Sequence, residues 1–333
     1  MRKVFQRALT AIFAVMLLMT TAAHAEDAET FFKRGNDYFE QQQYEQAIQE
    51  FDKAIEIDPN SAEAYFNRGR AYLNLDQYEQ AIRDFDKAIE LDPNDVAAYA
   101  NRGLAYVNLK QYEQAIQNYD KAIELDPNDA EAYNNRGGAY DNLNQYERAI
   151  QDFDKAIELD PKDSTCYLNR GLSYAYQQQY ERSIEDFDKA IELNPKYVDA
   201  YYSRGLSYFN IGQYEQAIKN YDKTIELDPN YAYAYNNRGN CYWMLEKYKQ
   251  AIKDYDKAIE LDPNVAYSYG NRGNCYRMLE KYKQAIKDYD KAIELDPNIA
   301  KNFYFRGMCY EKLGDKKKAQ ADYDKAKELG YEG

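Results

Sequence analysis

The dipeptide Arg-Gly recurs at Arg34, Arg68, Arg102, Arg136, Arg170, Arg204, Arg238, Arg272 and Arg306, and every step is 34 residues. The eight prolines keep the same step, from Pro59 to Pro297. A fixed period of this length means a small supersecondary unit copied along the chain. Each copy buries its apolar face against its neighbours instead of joining one central core. Placing the glycine at position 8 divides residues 28–333 into nine units: 28–61, 62–95, 96–129, 130–163, 164–197, 198–231, 232–265, 266–299 and 300–333. No room is left for a second domain, so one continuous solenoid is expected. Residues 237–264 and 271–298 are identical except for Trp243 against Arg277, the mark of duplication.

Composition alone misleads here. Leu, Ile, Val and Phe total 61 of 333 residues, with a formal net charge of −14, a combination that usually goes with disorder. The 37 tyrosines argue the other way, because disordered chains are poor in aromatics. Aromatics occupy positions 4, 11, 17 and 24 of the unit; of these 36 places, 35 are Tyr or Phe and the exception is Lys316. Positions 4, 8 and 11 are spaced i, i+4, i+7, one face of a helix. Positions 17, 20, 21, 24, 27 and 28 trace the face of a second helix. A polar turn such as Asp76-Gln77 joins the two, and Asp-Pro or Asn-Pro closes each unit, because proline cannot continue a helix and restricts its predecessor. Gly at position 8 and Ala, Ser or Thr at positions 20 and 27 let the two helices approach closely.

Tyr65, Gly69, Tyr72, Ala81, Phe85, Ala88 and Pro93 of the second unit, and their equivalents in all nine, resemble the tetratricopeptide repeat. The resemblance implies an all-α fold, a right-handed superhelical solenoid of nine antiparallel helix pairs whose first helices line a concave side. It also implies binding of a protein or extended peptide in that groove. One departure is systematic: the family usually has an apolar residue at position 7, and this chain has Arg every time.

The start of the chain reads differently. Arg2, Lys3 and Arg7 precede an apolar run from Ala8 to Met19, and Ala23-His24-Ala25 follows. This is the pattern of a cleaved secretory signal peptide over residues 1–25. The run is too short to span a bilayer. Export to the periplasm or outside the cell, with a bacterial source, is therefore expected, and the only histidine, His24, leaves with the signal. A mature chain without histidine lacks the commonest general base and metal ligand near neutral pH. With no CxxC, phosphate loop or nucleophile elbow, no catalytic residue, metal or cofactor is expected. The acidic balance argues against nucleic acid as a partner, and no membrane span is expected.

Which face binds follows from helix geometry. At 100° per residue, positions 2, 6, 9 and 13 lie roughly opposite the core direction of the first helix. Position 6 is Asn in six units: Asn67, Asn101, Asn135, Asn169, Asn237 and Asn271. Asn offers the donor and acceptor of a peptide group, so a column of them can clamp an extended main chain. This is similar to the asparagine ladder in the repeat domain of O-GlcNAc transferase. A solvated polar face, or hydrogen bonds to the neighbouring helix, is the other reading. Later units add Tyr176, Tyr202, Phe209, Tyr233, Trp243, Met244, Tyr267, Met278, Tyr304 and Phe305 near the same stripe. They form either a binding patch, with Tyr202, Tyr233, Trp243 and Tyr267 its candidates, or padding between adjacent helices. Asn240, Asn271 and Lys301 match three places of the carboxylate clamp used by some family members. Asn236 and Phe305 stand where that clamp wants cations, so a full clamp is not expected.

Arg at position 7 and Asp at position 25 occur in every unit, which suggests a structural ion pair within or between units, for example Arg102 with Asp120 or Arg238 with Asp256. Residues 26–231 carry a net charge of −20 and residues 232–333 of +3, a gradient consistent with partner steering, with self-association, or with drift after duplication. Cys241, Cys275 and Cys309 all fall at position 10, where most units have Ala or Ser, and together with Cys166 they are expected as free packing thiols. The functional expectation is an exported, non-enzymatic scaffold or adaptor. The alternatives are a passive or self-associating envelope solenoid and an accessory subunit of a secretion or enzyme complex.

Overall fold

The computed structural model describes residues 27–331 and 333; the expected signal peptide lies outside them. The described residues form eighteen α-helices and no strand. They fall into two compact units. The first holds α1 (Ala28–Glu40), α2 (Tyr44–Ile57), α3 (Ala62–Asn74), α4 (Tyr78–Leu91), α5 (Val96–Asn108), α6 (Tyr112–Leu125), α7 (Ala130–Asn142) and α8 (Tyr146–Leu159). The second holds α9 (Ser164–Tyr176), α10 (Tyr180–Leu193), α11 (Val198–Asn210), α12 (Tyr214–Leu227), α13 (Ala232–Met244), α14 (Tyr248–Leu261), α15 (Ala266–Met278), α16 (Tyr282–Leu295), α17 (Ala300–Lys312) and α18 (Lys316–Glu328). Within each unit every repeat is one helix pair, and its second helix also packs on the first helix of the next repeat.

The core is a series of small layers. Phe51 sits with Ala47 against Ala71 of the following repeat; Tyr119 sits with Ala115 against Ala139; Tyr221 sits with Ala217 against Cys241. The small residues at positions 10 and 20 thus enclose the ring at position 24. Gly137 shows why position 8 must be glycine: a Cβ there would lie 2.7 Å from Cε1 of Phe153, closer than packed carbons come. Of the four aromatic columns only position 24 is wholly buried throughout the first eight repeats. The ring at position 4 is mostly half-buried, because the guanidinium three residues on lies over it, as Arg136 does over Tyr133 at 5.4 Å.

The short turn between the paired helices puts position 15 in the left-handed region. Asp76 (φ 57°), Lys110 (58°) and Glu246 (58°) adopt it, and only Gly212 (76°) and Gly314 (83°) do so as glycines. The entry to the first helix changes along the chain. Asp95 Oδ1 accepts from the Ala98 amide at 3.1 Å, and Ser61, Asp129 and Asp163 cap in the same way. Tyr197, Tyr231, Val265 and Ile299 take that place later and supply no side-chain cap.

The invariant arginine pairs differently from the sequence expectation. Arg68 forks onto Asp84 of its own repeat, at position 23, with Nε and Nη2 each at 2.7 Å. Its Nη1 reaches back to Asp52, position 25 of the preceding repeat, at 2.6 Å. Asp120 therefore pairs with Arg136 and not with Arg102, and Asp256 pairs with Arg272 and not with Arg238. The physical reason is stacking: the end of each second helix lies against the next first helix. Burial pushes the Asp84, Asp254 and Asp288 carboxyls up. Burial also opposes the charge on Arg68, but its bonds to Asp84 and Asp52 outweigh that and hold its pKa above the ordinary value. Arg102 and Arg204 meet Asn118 and Asn220 at position 23 instead.

Both terminal repeats carry polar residues where the others stack. Positions 3 and 10, elsewhere mostly Ala, Ser or Cys, are the exposed Thr30 and Asp37 in α1, and positions 17, 21 and 28 become Lys316, Gln320 and Lys327 in α18. These are the polar outer faces that keep a solenoid from adding copies end to end.

Candidate functional site

The stripe at positions 2, 6, 9 and 13 is open as helix periodicity requires, in graded form. Positions 2 and 13 are exposed, while positions 6 and 9 are mostly half-buried between neighbouring first helices. The exposed large apolar residues concentrate on it: Tyr176, Tyr233, Met244, Tyr267 and Met278 are 63%, 61%, 43%, 63% and 44% exposed and occupy positions 2 or 13 of repeats five to eight. All five belong to the second unit.

The six asparagines share the stripe without sharing a state. Asn67 Oδ1 accepts from Arg70 at 3.3 Å, and Asn101 turns back to the Ala97 carbonyl at 2.9 Å. Asn135 lies half-buried on α7, and Asn169 half-buried on α9. Asn237 donates to the Tyr202 hydroxyl at 2.8 Å, and Asn271 donates to Asn240 Oδ1 at 3.0 Å. Asn240 also accepts from the Tyr255 hydroxyl at 2.8 Å and donates to Asn237 Oδ1 at 3.3 Å. For Asn237 and Asn271 the bond to a neighbouring repeat is therefore made, and one amide N–H of each is engaged. A primary amide has two N–H groups, so each keeps one.

Tyr202 and Trp243 do not stand on the open face. Tyr202 occupies position 5, where its ring packs on Tyr221 and Tyr231 at centroid distances of 5.9 and 4.9 Å, and burial pushes its hydroxyl up to about 12. Trp243 packs against the Ala251, Tyr255 and Cys275 cluster, and its indole Nε1 is buried without a partner. Tyr304 and Phe305 likewise pack with Tyr331. Positions 5 and 12 face the seam between repeats, so large side chains there are drawn into it.

Three clefts open along the stripe of the second unit. One of about 240 Å³ lies between repeats five and six and is lined by Leu172, Tyr176, Phe187 and Leu206 among others. Its counterpart two repeats on, about 290 Å³, is lined by Phe209, Asn240, Trp243, Met244, Asn271 and Asn274. A third, about 220 Å³, lies between repeats seven and eight, with Tyr233, Asn236, Val265, Tyr267, Ser268 and Asn271 in its walls. The last two share Asn240 and Asn271, so the structure brings Asn237, Asn271, Tyr202, Tyr233, Trp243 and Tyr267 into one connected region. Asn67, Asn101 and Asn135 lie apart from it in the first unit.

Asn240 and Asn274 at position 9 are functional candidates that sequence patterning overlooks. They appear where position 24 is Tyr255 or Tyr289, and each accepts that hydroxyl at 2.8 Å. Where position 9 is Leu104 or Leu206, the hydroxyls of Tyr119 and Tyr221 are buried with no partner. The pairing of Asn at 9 with Tyr at 24 was the available signal. Among the described residues no cluster of three or more His, Cys, Asp or Glu could hold a metal ion, and no helix is long and apolar enough to cross a membrane.

Models of the tetratricopeptide repeat match residues 62–95, 96–129, 130–163, 198–231, 232–265 and 266–299. Related repeat models match 35–76 and 171–212, 153–185 and 300–329. No curated protein matches the chain. Among solved structures, the crystal structure of MamA protein is 29% identical over 51% of this chain and 93% of its own, with a TM-score of 0.47. YrrB, described as a TPR protein with an unusual peptide-binding site, is 27% identical over 55% of this chain and 95% of its own, with a TM-score of 0.47. MamA 41-end from Desulfovibrio magneticus RS-1 is 26% identical over 52% and 98%, with a TM-score of 0.49.

Proposed function

The chain belongs to the tetratricopeptide repeat family, and we propose that it is a non-catalytic scaffold or adaptor. Its second unit grips an extended, largely uncharged stretch of a partner protein along the stripe of repeats five to eight. The observation that carries this reading is the gathering of Tyr176, Tyr233, Met244, Tyr267 and Met278, all exposed, beside three clefts on one face. Apolar groups grouped on one face and rimmed by amides give burial energy and main-chain hydrogen bonds to an extended peptide. The polar ends on α1 and α18 disfavour the alternative in which copies stack end to end.

The protein acts after export, with residues 1–25 removed and Glu26 as the new N-terminus; the mass of the chain recovered from the envelope or medium tests this, and an intact Met1 would refute it. The binding test replaces Tyr233, Met244 and Tyr267 by Ser together. These side chains are exposed, so the fold should hold. Partners captured by the wild-type chain from its native compartment should be lost by a variant of unchanged melting temperature. Retention of the same partners would overturn the groove assignment.

A further inference from the structure

Position 5 is a slot that the fold fills with its own rings at some repeats and leaves open at one. In repeat six Tyr202 fills it, crossing Tyr221 at 5.9 Å with planes tilted by 52°, covered by Tyr231 at 4.9 Å and hydrogen-bonded through its hydroxyl to Asn237 of the next repeat at 2.8 Å. The same crossing recurs in the first unit, where Phe32 lies on Phe51 and Phe66 on Phe85, both at 5.9 Å and tilted by 50° and 52°. In repeat nine Tyr304 is covered by Tyr331 at 5.1 Å. Repeat seven has Asn236 at position 5 and Val265 where Tyr231 would be, and the outcome is the 220 Å³ cleft. At repeat eight position 5 is Gly270, but there Asn302 of the next repeat moves in, with Oδ1 2.7 Å from where a Cβ would stand.

We propose that the slot between repeats seven and eight takes an aromatic side chain, a tyrosine by preference, from the extended partner segment. This deepens the groove reading and rests on it. Shape is the first argument, since a ring is what this fold puts in the equivalent place at repeats one, two, six and nine. Hydrogen bonding is the second. Asn271 stands in the position of Asn237, the donor to the phenol in repeat six. Its bond to Asn240 uses one N–H, and the other remains for an incoming hydroxyl. The floor adds Asn236, whose Oδ1 accepts from Ser268 at 3.3 Å and whose amide N–H groups can also turn to a ligand. Charge is the third: the only ionisable groups in the lining besides the two tyrosines is the single carboxylate of Asp262, so an acidic side chain would be desolvated beside a like charge. Tyr233 and Tyr267, at the same place in consecutive repeats and both exposed, give the rim two flat faces for the flanking main chain.

The probes are N-acetyl-tyrosine amide, N-acetyl-phenylalanine amide and N-acetyl-leucine amide. Binding is read by saturation-transfer NMR and by Trp243 fluorescence, because Trp243 lines the adjoining cleft that shares Asn240 and Asn271. Asn236→Tyr copies repeat six and fills the slot from within. Wild type should bind the tyrosine amide most tightly and the leucine amide least, and Asn236→Tyr should lose the tyrosine amide by about tenfold or more, near 1.4 kcal/mol, with an equal or higher melting temperature. Should Asn236→Tyr not fold, Val265→Tyr, which copies Tyr231, must show the same loss. Equal affinity for tyrosine and leucine amides, or undiminished binding in a folded Asn236→Tyr, would overturn the proposal. An alanine-rich decapeptide bearing one tyrosine separates the two readings. If Met244→Ser with Tyr267→Ser abolishes its binding and Asn236→Tyr does not, the slot assignment fails and the groove stands; if it does not bind the wild type at all, both fail.

Discussion

Arg136 forks onto Asp152, Nε to Oδ2 at 2.8 Å and Nη2 to Oδ1 at 2.7 Å, while its remaining nitrogen holds Asp120 of the preceding repeat at 2.6 Å. One side chain thus ties the two helices of its repeat together and sets the register of that repeat on the one before. Asp152 is largely buried and Asp120 is half-exposed, so the two contacts differ in worth. Removing the guanidinium strands a buried carboxylate, which costs about 3 kcal/mol, whereas losing the exposed partner costs well under about 1 kcal/mol. Arg136→Ala is therefore expected to lower the melting temperature strongly and Asp120→Ala only slightly. The double variant Arg136→Ala, Asp152→Ala should recover part of the loss. Similar melting of Arg136→Ala and wild type in urea would sink this role.

Tyr221 and Tyr255 occupy position 24 in successive repeats and are both fully enclosed, yet only Tyr255 finds an acceptor, in Asn240. An unsatisfied buried hydroxyl costs about 1 to 3 kcal/mol. Tyr221→Phe should consequently be neutral or stabilising by about 1 kcal/mol, as should Tyr119→Phe. Tyr255→Phe leaves Asn240 with one donor fewer and should destabilise by about 1 kcal/mol. Chemical denaturation of the three variants checks the sign. A destabilised Tyr221→Phe would mean that its hydroxyl has a partner after all.

The repeat, the two helices, the turn and the close glycine approach were all legible in the sequence because each is local. Pro93, Gly69 and Phe85 act within one repeat, and spacing alone places them. What was not legible depends on stacking between repeats. Position 25 drew attention through its invariance, but Asp120 meets the arginine of the following repeat, a pairing that helix periodicity within one unit cannot give. Position 23 was overlooked because Glu50, Asp84 and Asn118 look like ordinary surface residues until the arginine is seen to reach them. Among the candidate aromatics, Tyr202 and Tyr233 differ only in standing at position 5 or position 2. Those three residues of offset turn one ring into the seam and leave the other 61% exposed.

Position 15 of the first four turns is never glycine, although each turn demands a positive φ. For L residues the left-handed conformation costs about 1 to 2 kcal/mol, offset in part by the extra freedom that glycine gives the unfolded chain. Lys110→Gly should therefore raise stability by about 0.5 kcal/mol, and Gly212→Ala should lower it by about 1 kcal/mol. Melting temperatures of the two single variants, moving in opposite directions, are the expected result; a Gly212→Ala chain as stable as wild type would contradict it.

Burial pushes the Cys241 and Cys275 thiols up to about 12 from an ordinary 9.0, and it pushes the hydroxyls of Tyr221, Tyr255 and Tyr289 far above their ordinary 10.0. The sign follows directly. Each group has a higher pKa folded than unfolded, so its share of stability is complete below the unfolded value and is lost as pH rises through the folded one. Stability should be flat from neutrality to about pH 9 and then fall steeply towards about pH 12. The thiols should also resist alkylation near pH 8 in the folded chain and react at once in denaturant. Melting temperature and thiol accessibility measured across this range test both statements. A melting temperature at pH 11 as high as at pH 8, or rapid alkylation of the native protein, would show that these side chains are not enclosed between the repeats.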